Sequence, residues 1–387
     1  MRVLQIHNEY ALPGGEDAAV AAEAELLAGA GHRVLRMRVR NRASGPVAAL
    51  ALAGAPWNPV RYRDARRAIR TFRPDVAHLH NTWFSLSPSV VDALRAEGVP
   101  VVMTLHNYRL LCANGLLFRD GEACTDCLGS HPWHAVRHGC YRGSAAQSAV
   151  AATTIALGRA RSTWDSVDRF LVPSRFVKDT YVRAGFVPDR ISVKPNVVTD
   201  PGPRQARPSA SRSVLCVSRL SEEKGVAGLL EAWRAAGESL GGLRLRVIGD
   251  GPQRAVLRRA APEGVDITGW VDKAELYRTL RTARAVVVPS ECYETFGLAA
   301  VEAMAAGLPV LGADIAGPAE VVGALGSRWL VPPADPAALA AALPVLADDS
   351  AVDSAGARAR EHFERGYAPG EVLRLLLAAY RDVVSGT

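Results

Sequence analysis

The stretch Ser290-Glu291-Cys292-Tyr293-Glu294-Thr295-Phe296-Gly297-Leu298-Ala299-Ala300-Val301-Glu302-Ala303-Met304-Ala305-Ala306-Gly307-Leu308-Pro309-Val310 places two carboxylates, Glu294 and Glu302, eight residues apart between two apolar segments. The preceding Ala285-Val286-Val287-Val288-Pro289 is apolar and β-branched, as a strand covered on both faces should be. Val310-Leu311 opens the next strand. A helix is predicted to begin near Phe296-Gly297 and to stop at Gly307, with Pro309 barring its continuation. Eight helical steps would carry Glu302 roughly 12 Å along the axis from Glu294, about the reach from a hexose across a pyrophosphate to a ribose. The N–H groups at Phe296, Gly297 and Leu298 and the positive end of the helix dipole would face the phosphates.

With 387 residues, 49% of them hydrophobic, the chain exceeds what one core supports and predicts two domains. No apolar run reaches the length of a membrane-spanning helix, and Met1-Arg2-Val3-Leu4-Gln5-Ile6 runs directly into polar His7-Asn8-Glu9 without the pattern of a signal peptide. The expected location is cytoplasmic. The net charge of +7 is spread along the chain and carried almost wholly by arginine, with Lys178, Lys194, Lys224 and Lys273 the lysines. No basic-aromatic platform accompanies it, so nucleic acid is not the expected partner. One local cluster, Arg61, Arg63, Arg66, Arg67, Arg70 and Arg73, interleaves with Tyr62, Ile69 and Phe72 at helical spacing. It reads either as a solvated helix face or as a weak peripheral contact with an anionic inner membrane face.

The first half repeats the strand-then-helix pattern of a parallel α/β sheet. Strands are predicted at Met1–Asn8, Arg33–Val39, Val76–His80 and Val99–His106, with a helix at Asp17–Ala30. The linker Thr199–Pro208 then separates a second series at Ser213–Val217, Leu243–Gly249, Val265–Thr268, Ala285–Pro289, Val310–Ala313 and Trp329–Val331. The domains expected are 1–200, carrying a cysteine-rich insertion at 109–143, and 210–369, with a helix over 370–387. Strand-end His78, His80 and His106 fall where open α/β sheets bind ligands, although a buried structural histidine is the preferred reading of His78. No Gly-x-Gly-x-x-Gly follows a strand, which argues against a dinucleotide-dependent oxidoreductase.

Glu294 and Glu302, the downstream Gly307-Leu308-Pro309-Val310 and the segment Ile315–Glu320 together resemble the Glu-x7-Glu motif of family 4 glycosyltransferases. These are retaining enzymes of the GT-B fold, in which two Rossmann-like domains face each other across a cleft. The resemblance implies that Glu294 binds donor-sugar hydroxyls and that Glu302 holds the ribose. Arg219 and Lys224, in Val217-Ser218-Arg219-Leu220-Ser221-Glu222-Glu223-Lys224-Gly225, resemble the family's Arg-Leu-x3-Lys-Gly loop, whose cations meet the leaving diphosphate in place of a metal. Tyr10-Ala11-Leu12-Pro13-Gly14-Gly15-Glu16-Asp17 is similar to the Gly-Gly-Glu-Asp opening of a subgroup associated with surface polysaccharides. It implies backbone at Gly14 and Gly15 close to a phosphate, Glu16 toward a sugar, and Asp17 as a helix cap. Thr104-Leu105-His106-Asn107-Tyr108-Arg109 places His106 beside the reacting sugar. Val193-Lys194-Pro195-Asn196 resembles the family's Pro-Asn-Gly turn, with Val197 where glycine is usual.

The implied reaction transfers a hexosyl group from a nucleotide diphosphate sugar to a hydroxyl acceptor, either a lipid-linked polysaccharide intermediate or a small natural product. No cofactor is needed for it. A hydrolysing sugar-nucleotide epimerase shares the architecture but fits the two motifs less well. Separately, Cys112, Cys124, Cys127 and Cys140 cluster in the loop-rich insertion, and Cys124-Thr125-Asp126-Cys127 has zinc-knuckle spacing. In a reducing compartment this favours a structural zinc, with disulfides or free thiols as the alternative.

Overall fold

The computed structural model describes residues 1–11, 14–41 and 45–386. Its chain divides into two compact units. Met1–Arg119, Cys124–Val197 and the segment from Val372 onward form the first; Asp120–Ala123 and Val198–Glu371 form the second.

In the first unit β1 (Arg2–Glu9), β2 (Arg33–Arg40), β3 (Val76–Leu79), β4 (Val101–Thr104), β5 (Arg169–Val172) and β6 (Ile191–Val193) make a sheet of order β2-β1-β3-β4-β5-β6. Every pairing is parallel, with Val3 opposite both Val34 and Val76 and Ala77 opposite Val101. The central β3 and β4 are buried throughout, which explains their unbroken apolar composition. The helix Gly15–Gly29 connects β1 to β2 and turns Val20, Glu23, Ala24 and Leu27 inward. The helix Pro369–Ser385 packs Leu376, Ala379, Tyr380 and Val383 against Val3, Leu27, Val76, Val102 and Leu171.

In the second unit β7 (Ser213–Val217), β8 (Arg244–Ile248), β9 (Val265–Gly269), β10 (Ala285–Val288), β11 (Val310–Ala313) and β12 (Leu330–Val331) form a parallel sheet ordered β9-β8-β7-β10-β11-β12. The order reverses between β7 and β10. A crevice opens at such a switch point because the two flanking connections leave for opposite faces of the sheet. The loop after β7 carries Arg219 and Lys224, and the loop after β10 carries Glu294, so the topology brings the two sequence motifs together. In the first unit the equivalent reversal falls between β1 and β3. Beyond their carboxyl ends lie Tyr10 and His80.

The predicted strands are present, mostly trimmed by a residue or two at their ends. β5 and β6 were not foreseen. The helix after β10 spans Leu298–Ala305 and starts where expected, with Gly297 as its left-handed N-cap at φ +80°, but the assumption of eight helical steps from Glu294 is corrected. Residues 294–297 lie outside it, so the helix contributes only about 6 Å of axial rise between the two glutamates rather than 12 Å.

Candidate nucleotide-sugar site

The second unit holds a charge pair at its switch point. Lys224 Nζ lies 3.0 Å from Glu294 Oε2, which also accepts from Ser290 Oγ at 2.7 Å. Burial by itself would raise the Glu294 carboxyl; Lys224 and the Ser290 hydroxyl outweigh it and hold Glu294 below its ordinary value. Lys224 responds reciprocally, burial pulling it down and Glu294 lifting it to a net rise. Both groups therefore remain ionised at neutral pH.

Glycines let this loop close. Gly225 sits at φ +65°, and a Cβ there would stand 2.1 Å from the Pro289 carbonyl oxygen. Glu291 N–H donates to Glu223 O (3.0 Å), tying the loop after β7 to the loop after β10. Gly317 N–H donates to Glu294 O at 2.9 Å, and a Cβ on Gly317 would meet Phe296 N at 2.6 Å. The Ile315–Glu320 segment thus props the turn that carries Glu294.

Other predicted residues take different positions. Glu302 is buried in the helix Leu298–Ala305, 3.4 Å from Tyr277 Oη, and burial lifts its carboxyl to about 7 against the pull of Lys273 and Tyr277. Phe296 points its ring into the core beside Tyr367, so only its backbone is left to meet a ligand. Arg219 is exposed at the end of β7.

Gly14, Gly15 and Glu16 belong to the first unit; Leu12 and Pro13 of the same motif lie outside the described residues. Gly14 is the N-cap of the helix Gly15–Gly29, and its N–H donates to Asp17 Oδ2 at 3.0 Å, so Asp17 caps from inside the first turn. Asp17 Oδ1 also meets His7 Nε2 at 2.8 Å. Glu16 Oε2 accepts from Tyr10 Oη (2.8 Å) and Asn107 Nδ2 (3.0 Å), and burial raises its carboxyl. The Gly-Gly-Glu-Asp turn and the His106 segment therefore meet in one place. A pocket on the His106 side, with none of Gly14, Gly15, Glu16 or Asp17 in its lining, is bounded by His80, Asn81, Trp83, His106, Asn107 and Arg109.

Sequence reasoning missed what lies beside this pocket. Lys194 Nζ contacts Glu23 Oε2, and Glu23 Oε1 lies 2.9 Å from His78 Nδ1 and 3.3 Å from His80 Nε2, all nearly inaccessible to solvent. His78 is a buried structural residue, as expected, with Tyr380 Oη and Thr104 Oγ1 each 2.7 Å away. The missed signal was an acid on the apolar stripe Val20-Glu23-Ala24-Leu27. Asn196 and Val197 are buried at the end of the first unit.

Cys112, Cys124, Cys127 and Cys140 are free thiols in the first unit, close enough to influence one another: burial and then the neighbouring sulfurs push Cys127 up to about 11. No three of the four bring their sulfurs within 4.8 Å of one another; among the described residues the group that meets that distance is Glu23, His78 and His80. The arginine cluster lies on the helix Pro59–Phe72, with Arg73 as its left-handed C-cap; Arg61 pairs with Asp64, and Arg66 and Arg70 share Glu97. Among the described residues, no helix is long and apolar enough to cross a membrane.

Two parallel α/β units, one with an acid-base pair at its switch point, define the GT-B class of glycosyltransferase folds. The Glycosyl transferase 4-like domain matches residues 12–197, and the Glycosyl transferases group 1 model matches residues 211–349. A D-inositol 3-phosphate glycosyltransferase of Catenulispora acidiphila is 30% identical over 338 residues, covering 81% of this chain and 73% of that protein. The chain belongs to this glycosyltransferase family. A 2-deoxystreptamine N-acetyl-D-glucosaminyltransferase of Streptomyces fradiae is 29% identical over 295 residues, 70% of this chain, but this chain spans only 62% of that protein's length. Among solved structures, Anabaena HepE in complex with UDP and glucose superimposes with a TM-score of 0.68 at 15% identity, covering 99% of this chain and 100% of HepE.

Proposed function

We propose that the protein is a retaining glycosyltransferase that moves a hexosyl group from a nucleotide diphosphate sugar to a hydroxyl acceptor. The observation that carries this reading is the ionised Lys224–Glu294 pair, 3.0 Å apart at the switch point of the second sheet. As the bond from anomeric carbon to phosphate oxygen breaks, negative charge gathers on the departing diphosphate, and Lys224 and Arg219 are the fixed cations that stabilise it. Backbone N–H groups from Phe296 to Leu298 at a helix start add to that stabilisation, so the chemistry needs no metal. Glu294 accepts from donor-sugar hydroxyls, and Glu302 accepts from the ribose. The acceptor hydroxyl attacks the face the diphosphate leaves, and its proton passes to the departing phosphate oxygen. Gly14, Gly15, Glu16 and His106 bind on the sugar side. HepE's complex with UDP supports a uridine nucleotide as the first donor to try. The epimerase reading has no support from the family matches. A thermal-shift panel of nucleoside diphosphates and their sugars tests the proposal: the true donor gives the largest rise, and a panel without any shift overturns it.

The acceptor is either a lipid-linked intermediate or a small natural product; the similarity to the Streptomyces fradiae transferase favours the second. Support for weak membrane contact is local. Val60, 57% exposed, shares the helix Pro59–Phe72 with exposed Arg63 and Arg67, a mixture of apolar and basic side chains that seats a helix on an anionic surface. Co-sedimentation with anionic vesicles that fades with salt is the expected result. The four cysteines are kept as zinc ligands in this reading on their sequence spacing; binding would have to deprotonate the thiols and draw together sulfurs of which no three lie within 4.8 Å here. About one zinc per chain is expected in protein purified under reducing conditions, and a content far below one defeats it.

A further inference from the structure

The buried polar group beside the first-unit pocket is too costly to be incidental. Glu23 and Lys194 are 2% and 1% exposed, and a charge placed there must be repaid by its partners. Burial would raise Glu23, but Lys194 with His78 and His80 keeps it ionised. An ionised carboxylate only accepts hydrogen bonds. His80 Nε2 and Glu23 Oε1 lie 3.3 Å apart without the geometry of a hydrogen bond, but a bare lone pair so close to a carboxylate oxygen would be repelled, which favours the His80 proton on Nε2. Burial drives His80 down to about 3, and the ring is therefore neutral with a bare Nδ1. That Nδ1 lies 3.0 Å from His106 Nε2, with the ring planes 22° apart and the centroids 5.3 Å apart, so that the two nitrogens meet edge to edge. The contact is a hydrogen bond only if His106 Nε2 carries the proton.

We infer that Glu23, Lys194 and His80 are positioning residues that fix His106 in its Nε2-protonated tautomer, leaving Nδ1 as a hydrogen-bond acceptor in a residue lining the pocket. A ring so fixed can only accept at Nδ1, an atom buried in the ligand-free fold, which suits a hydroxyl of a sugar or other polyol that reaches it and disfavours a carbonyl or carboxylate at that point. His106 is pushed well below its ordinary range by burial, then by His80 and Lys194, so it is not a cation that would attract the diphosphate. This deepens the sugar-transfer reading and rests on it for the identity of the ligand, but the tautomer itself does not depend on it.

The test is long-range ¹H–¹⁵N correlation on ¹⁵N-histidine-labelled protein, with His106→Gln to assign the ring. The wild type is expected to show a single His106 tautomer with a non-protonated Nδ1. In Glu23→Leu/Lys194→Met, which removes both charges together and leaves no uncompensated ion, His106 is expected to populate both tautomers. A wild-type His106 protonated at Nδ1, or already mixed, overturns the relay without any variant having to fold. An unchanged single tautomer in the double variant also overturns it. UDP-induced stabilisation, which depends on the second unit, is measured on the same samples. Its absence in the wild type counts against the donor reading and leaves the tautomer result standing.

Discussion

The 3.0 Å contact between Lys224 and Glu294 combines two duties in one pair. Without substrate, each side chain keeps the other charged; under the proposed function, with donor bound, Lys224 meets the phosphates and Glu294 the sugar. Lys224→Ala or Glu294→Ala should cost roughly 10²–10³-fold in turnover with the correct donor, the loss typical of deleting one charge-stabilising group, and near-normal rates would remove the role. Glu302 behaves differently, because burial lifts its carboxyl from 4.5 to about 7. A carboxyl whose folded value is raised stabilises the fold fully below its unfolded value, and that contribution is lost as pH climbs through about 7. Between roughly pH 5 and roughly pH 8 the ligand-free protein should lose on the order of 3 kcal/mol through this group. Urea unfolding of Glu302→Gln should show that part of the decline gone; an unaltered pH slope would mean that Glu302 is ionised in the fold. Glu294 and Lys224 were legible in the sequence because each stands in a local motif. The Glu23–Lys194 pair was not, since its members lie 171 residues apart and neither has a motif around it.

Between residue and domain, the loops after β7 and β10 act as one element because glycine allows them to touch. Gly225→Ala would force a side chain into a left-handed position, costing about 1–2 kcal/mol, and would drive its Cβ to 2.1 Å from Pro289 O. The loop must move, and Lys224 with it. The expected result is a less stable protein whose UDP-induced thermal shift is lost; a preserved shift would show that the loop's position does not matter for the donor. The C-terminal helix makes a comparable test in the first unit, where Tyr380 Oη stands 2.7 Å from His78 Nδ1. Tyr380→Phe should cost about 1–3 kcal/mol, the range for leaving a buried polar group unsatisfied, measurable by chemical denaturation. Strand and helix positions were readable where composition was uniform, as in Ala285–Val288. β5 and β6, Arg169–Val172 and Ile191–Val193, escaped although β3, β4 and β10 are no longer than β5, so length alone does not account for it. The helix start near Gly297 was legible, but the path from Glu294 to it was not helical, because Gly317 takes the Glu294 carbonyl and holds the backbone there in another conformation.

At the scale of the whole molecule, two sheets with separate cores predict two unfolding events rather than one. The number of domains was legible from length and from the Pro-rich break before Ser213. The strand orders were not, because no periodicity encodes that β3 pairs with β1 in one sheet while β10 pairs with β7 in the other. Both sheets carry a switch point, so under the proposed function it is the side chains at each that assign the nucleotide to one unit. Lys224, Glu294 and Glu302 all lie in the second unit, so a nucleoside diphosphate should protect that unit's transition. At a concentration near 100 times Kd the protection is about 2.7 kcal/mol. Calorimetry should resolve one transition that UDP raises and that Lys224→Ala makes unresponsive, and a second that UDP leaves in place and Tyr380→Phe lowers. If UDP raised the transition sensitive to Tyr380 and left the other unmoved, the nucleotide would bind the first unit, and the charge pair at the second switch point would need a different explanation.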